Sequence, residues 1–128
     1  LPSYVENPAQ YSERLVRNMF AKPHPELDMD AAIAHARKTP APIGLTMLMM
    51  DIFGVDRRPA LAKIDRPTLV IGSAESPLAE AQKQMAAAIP GAELVMLKGV
   101  GHAVFVDEPE MFAQALQRLL VRDRVSTR

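Results

Sequence analysis

Two residues in the last third of the chain have the types and positions that could do proton-transfer chemistry. His102 closes the tetrapeptide Gly99-Val100-Gly101-His102, and Glu75 lies three residues beyond Gly72. An imidazole can take and return a proton near neutral pH. A carboxylate beside it can accept the second ring N–H, fix the tautomer and stabilise the imidazolium as it forms. Each residue follows a run of strand type, Thr68-Leu69-Val70-Ile71 and Glu93 to Leu97. Where such strands are parallel, their carboxyl ends form the rim at which ligands and chemistry sit. The plain alternative is a loop histidine and a solvated acid. Flanking glycines, a place just past a strand and a carboxylate on the neighbouring strand favour the chemical reading. Asp51 and Asp56 are reserve acids.

No nucleophile accompanies this pair. Ser73 and Ser76 lie near Glu75, but the chain has no G-x-S-x-G or equivalent elbow. Gly99-x-Gly101 is too short, and in the wrong context, for a dinucleotide-binding turn. There are no cysteines, which excludes a disulfide scaffold and a thiolate metal site. His24, between two prolines, and His35 lack ligand spacing with any partner and read as ordinary surface residues. No metal or cofactor is expected. Met47, Met49 and Met50 could fill a core or line a substrate pocket.

The elements that would position these groups fall into two stretches. The chain has 128 residues, 48% of them hydrophobic, with 15 Lys and Arg against 15 Asp and Glu, so nothing suggests capture of nucleic acid or of an anionic membrane. The longest apolar run, near Ile43 to Met50, is far short of the roughly 20 residues of a membrane span. No signal peptide is visible, although the sequence opens on Leu1, and a cytoplasmic setting is the expectation.

Residues 1–55 show helical patterns only. Asn7-Pro8 opens a helix whose apolar face is Tyr11, Leu15 and Met19, with Val16 and Phe20 beside it. Asp28 or Asp30 caps a second helix. A third, roughly Ile43 to Phe53, is apolar nearly all round and must be covered on several sides. Proline breaks at Lys22 to Pro25 and Thr39 to Pro42 separate the three, which look like a lid packed on something larger. Residues 56–128 read as a βαβα unit. Its first helix presents Leu78, Ala81, Met85 and Ile89. Its last opens on Asp107-Glu108-Pro109-Glu110 with a core face of Phe112, Leu116, Leu119 and Leu120, and Val125 to Arg128 reads as a tail. Two parallel strands, apolar on both faces, need sheet neighbours that this sequence does not supply. The chain is therefore not expected to fold alone as a well-behaved monomer.

The second stretch resembles the α/β-hydrolase superfamily. Pro67-Thr68-Leu69-Val70-Ile71-Gly72 is similar to the strand that delivers the family's acid. Met85 to Leu94 is similar to the helix and strand after it, and Gly101-His102 with Glu108-Pro109 and Phe112 to the histidine loop and terminal helix. Residues 1–55 are similar in kind to the helical cap of haloperoxidase-like esterases, lactonases and C–C hydrolases. The resemblance implies an α/β fold, specifically the C-terminal portion of a hydrolase core preceded by a cap. It makes His102 the general base and Glu75 the acid, although the family usually has aspartate there and the extra methylene displaces the carboxylate. It also implies that the serine and oxyanion hole reside on a missing N-terminal segment or a second chain, and that the small-molecule substrate is a carboxylic ester, thioester or lactone; the apolar run at Ile43 to Phe53 favours an apolar acyl group. A cofactor-free haloperoxidase or C–C bond hydrolase uses the same frame. The other reading is a structural or partner subunit that kept the architecture without the chemistry, for which the departure at Glu75 is the best support. A free-standing module is a third.

Overall fold

The computed structural model describes residues 2–126, without the side chains of 51–53 and 123–126. The chain divides into two compact units, Leu1–Met19 with Pro23–Asp56 and Phe20–Lys22 with Arg57–Arg128.

The first unit is helical. α1 (Pro2–Glu6) leads into α2 (Pro8–Arg17), whose N-cap Asn7 accepts the Gln10 N–H at 2.9 Å. Asp28 caps α3 (Met29–Ala36) in the same way, accepting from Ala31 N–H at 2.9 Å. α4 (Ala41–Met47) begins earlier than the apolar pattern suggests, because Pro42 falls in its first turn, where no N–H is needed. It widens into a π-helical turn, Leu48–Phe53, that ends on Gly54. A Cβ at Gly54 would lie 2.3 Å from the Met49 carbonyl oxygen. The expected α2 face is shorter than its periodicity implied. The helix stops at Arg17, Leu15 is exposed, and Phe20 joins the second unit.

Tyr4 is the buried anchor of this unit, set edge-on to Tyr11 at 5.2 Å with its hydroxyl directed to the Ala41 carbonyl. Gly44 gives it room, since a Cβ there would sit 2.7 Å from Cζ of the Tyr4 ring. Gly44→Val should destabilise the helical unit by about 1–3 kcal/mol, because a rigid ring must move to admit the side chain. The check is the urea midpoint of the native protein. The short helices leave the apolar α4 region uncovered within this chain: Ile43, Met47 and Met49 are exposed and Met50 is 69% exposed. Helices this short bury too little surface to enclose it.

The second unit holds the sheet. After α5 (Arg58–Leu61), β1 (Leu69–Ser73) and β2 (Glu93–Leu97) pair in parallel, from Leu69 opposite Glu93 to Ser73 opposite Leu97. α6 (Ala79–Ala88) connects them. Of its expected inward side Ile89 is buried, whereas Leu78, Ala81 and Met85 are exposed and Ala86 is buried in their place. Gln82 lies so close to Gly72 that a Cβ there would meet its Oε1 at 2.3 Å, so the glycine on the strand makes room for the helix side chain. The closing helix is two pieces, α7 (Val104–Asp107) and α8 (Pro109–Ser126). On α8 Ala115 is 0% exposed and Phe112 and Leu119 are half-buried, whereas Leu116 and Leu120 are exposed. The fold is α/β.

The core of this unit is Leu97, Val100 and Val104, with Ile71, Val95 and Phe112 against them. Leu97 is 4% exposed at the end of β2, directly ahead of the glycine-rich loop. Leu97→Ala should cost about 2–5 kcal/mol, the range for truncating a buried leucine. A shift of the denaturation midpoint below the equivalent of 1 kcal/mol would show that this cluster is not the unit's centre.

Candidate active site

β1 and β2 end level with one another, and the loops that leave them carry the sequence-selected pair. The Ala74 N–H donates to the Leu97 carbonyl at 2.7 Å, extending the parallel register one step beyond the strands. Glu75 follows immediately. Its Oε2 accepts the Gly99 N–H at 3.1 Å, so a carboxylate from the first loop holds an amide of the second. Gly99 has φ +65, the left-handed region that favours glycine, while a Cβ added there would meet nothing within 4 Å. The glycine is there for backbone conformation. Gly101 is not at positive φ.

His102 is exposed, while its neighbours hold it from both sides: Val100 and Ala103 are 3% and 2% exposed. The imidazole thus stands on a short loop whose apolar residues are fixed in the core. Among the described residues it makes no hydrogen bond or ion pair, and none joins it to Glu75. The structure brings Glu75 to the histidine loop, on the Gly99 amide rather than on the ring. Asp56 belongs to the helical unit, and the Asp51 side chain lies outside the described residues. Ser73 is buried at the end of β1, and the Ser76 hydroxyl accepts the Leu78 N–H at 3.1 Å, a local turn contact.

Sequence reading missed Asp107, taking it for an acidic helix start. It is 6% exposed, and Oδ2 accepts two backbone N–H groups, from Gly101 at 2.6 Å and from Ala21 at 2.9 Å. Lys22 pairs with Glu108 and donates from Nζ to the Asp107 carbonyl at 3.3 Å. An acid five residues after His102, directly behind the apolar Val104 to Val106, was the available signal. One turn of helix carries it back to the loop.

The other histidines stand apart. His35 is exposed. His24, expected at the surface, has a side chain only 10% exposed, with Nδ1 2.8 Å from Glu26 Oε1. A backbone hydrogen bond first, and the His24 ring second, hold the Glu26 carboxyl below its ordinary value of 4.5. The contribution of that lowering to stability is present above the ordinary value and fades as pH falls through the lowered one. Among the described residues no group of three or more His, Asp or Glu could hold a metal ion. A shallow groove of about 550 Å³ along α8, lined by Gln114, Gln117, Arg118, Val121 and Arg122, includes none of the residues above.

The sequence model described as "Alpha/beta hydrolase family" matches residues 2–115. The chain belongs to the alpha/beta hydrolase family. Among solved structures, this hydrolase-family chain is similar to an esterase from Exiguobacterium antarcticum, at TM-score 0.75 and 23% identity over 91% of this chain and 44% of that one. It is similar to a bromoperoxidase from Bacillus anthracis, at 0.76 and 22% over 92% and 46%. It is also similar to Est816, an N-acyl homoserine lactone degrading enzyme, at 0.64 and 21% over 91% and 49%. The chain therefore spans less than half the length of each. A search of curated proteins finds no significant match. Among the described residues, no helix is long and apolar enough to cross a membrane.

Proposed function

We propose that this chain is the histidine-bearing part of a serine hydrolase acting on a carboxylic ester, thioester or lactone with an apolar acyl group. The observation that carries the reading is His102, an exposed imidazole at the end of the second parallel strand, held by buried neighbours in a family whose fold this chain shares. In this reading His102 takes the proton from a serine hydroxyl during attack on the acyl carbon and returns it to the leaving group as the tetrahedral intermediate collapses. Glu75 supplies negative charge beside the imidazolium, and backbone N–H groups elsewhere hold the oxyanion. The serine comes from a segment or a second chain outside this sequence, which contains no nucleophile elbow. The helical unit acts as the cap, its exposed methionines offering an adaptable surface to an acyl chain.

A fluorophosphonate probe tests the assignment on the native protein. A serine outside these 128 residues should be labelled, and labelling should be lost in His102→Ala. A non-catalytic, partner-subunit reading is favoured by one observation, the engagement of Glu75 with Gly99 instead of the ring. It predicts no labelling of any assembled form.

A further inference from the structure

Asp107 lies outside the acid–base pair, yet it is the most buried carboxylate on the histidine loop's support. One oxygen, Oδ2, accepts the N–H of Gly101, the residue directly before His102, and the N–H of Ala21, more than eighty positions earlier in the chain. A buried carboxylate accepting backbone amides is a strong, directional contact. It holds the loop at a second point besides Glu75, which holds Gly99. Two alternate amides, at 99 and 101, are thus held by carboxylates from the elements before and after the loop. Between and beyond them, the buried Val100 and Ala103 leave the His102 ring as the group that projects. The Lys22 contacts to Glu108 and to the Asp107 carbonyl fasten Phe20–Lys22 to the same turn.

We infer that Asp107 is a positioning residue for the His102 imidazole, acting through the Gly101 amide, with Phe20–Lys22 as the second arm of the staple. The inference rests on the reading of His102 as general base. No bond to substrate is involved. What Asp107 supplies is the angle and height of the ring, and a misplacement of about 1 Å at a reacting group can cost on the order of 100-fold in rate.

The test compares Asp107→Ala, Asp107→Asn and His102→Ala in the native protein, with folding followed by thermal melting and turnover measured on a short-chain activated ester. Asp107→Ala should lower kcat by about 100-fold while KM stays near the native value, since ring placement matters in the transition state more than in binding. Asp107→Asn keeps an acceptor oxygen in the same place and should restore most of kcat. Unchanged kcat in Asp107→Ala overturns the inference. So does an Asn variant as impaired as Ala, or a loss that follows the unfolded fraction. If the alanine variant does not fold, Asp107→Glu carries the test: it keeps the acceptor but displaces the loop by a methylene, and native kcat there overturns the inference. Native turnover in His102→Ala instead defeats the general-base reading, a separate failure.

Discussion

His102→Ala should lower the ester turnover of the native protein by about 1,000-fold, within the range that general acid–base groups contribute. The ring projects from a loop whose apolar residues are buried on either side, so its removal leaves Val100, Ala103 and Val104 in place. The melting temperature should barely move. Because the site of the ring is exposed, added imidazole should enter and restore part of the rate. A loss of activity with no rescue and a lowered melting temperature would instead assign His102 to structure. Turnover within a factor of two of native would remove the base from the account altogether.

Glu75→Gln is the second large effect, and the structure makes it a clean substitution. The Glu75 carboxylate accepts the Gly99 N–H at 3.1 Å, which a glutamine oxygen can also do. The loop is therefore kept and only the charge is lost. If that charge stabilises the imidazolium, kcat should fall by about 10–100-fold, less than for an acid bonded directly to the ring, because the contact is exposed and partly screened. Assembly and KM should be unaffected. Native turnover would pass the acid's role to Asp56 or Asp51, or to no residue of this chain.

Much of the fold was legible because the signals were local. Asn7-Pro8 marked one helix start and the Asp28 or Asp30 pair another, where Asp28 proves the cap, by chemistry that needs only the next three residues. The apolar runs at Leu69 and Leu94 matched strands of the register observed. Errors arose where tertiary contact overrides pattern. Of the expected stripe Phe112 packs on the core and Leu119 is half-buried, but Leu116 and Leu120 are exposed, and the most buried position is the unselected Ala115. Phe20 fits the face of the preceding helix but belongs to the other unit.

The site divides in the same way. His102 was visible from its glycines and from the strand before it. The partner of Glu75 was not, because a hydrogen bond to the Gly99 amide depends on how far one loop reaches across another. Asp107 was hidden for a sharper reason. An acid at a helix start is ordinarily solvated, and only its contact with Ala21, distant in sequence, shows that this one is buried and shared.

The central claim is that the His102 ring receives a proton from a serine that this sequence does not contain. A crystal structure of the native protein after phosphonylation measures it directly. The account predicts a modified serine whose oxygen lies within about 2.6–3.2 Å of a His102 ring nitrogen, or one water away. A phosphonylated serine remote from that ring, with the imidazole turned to solvent, would contradict it.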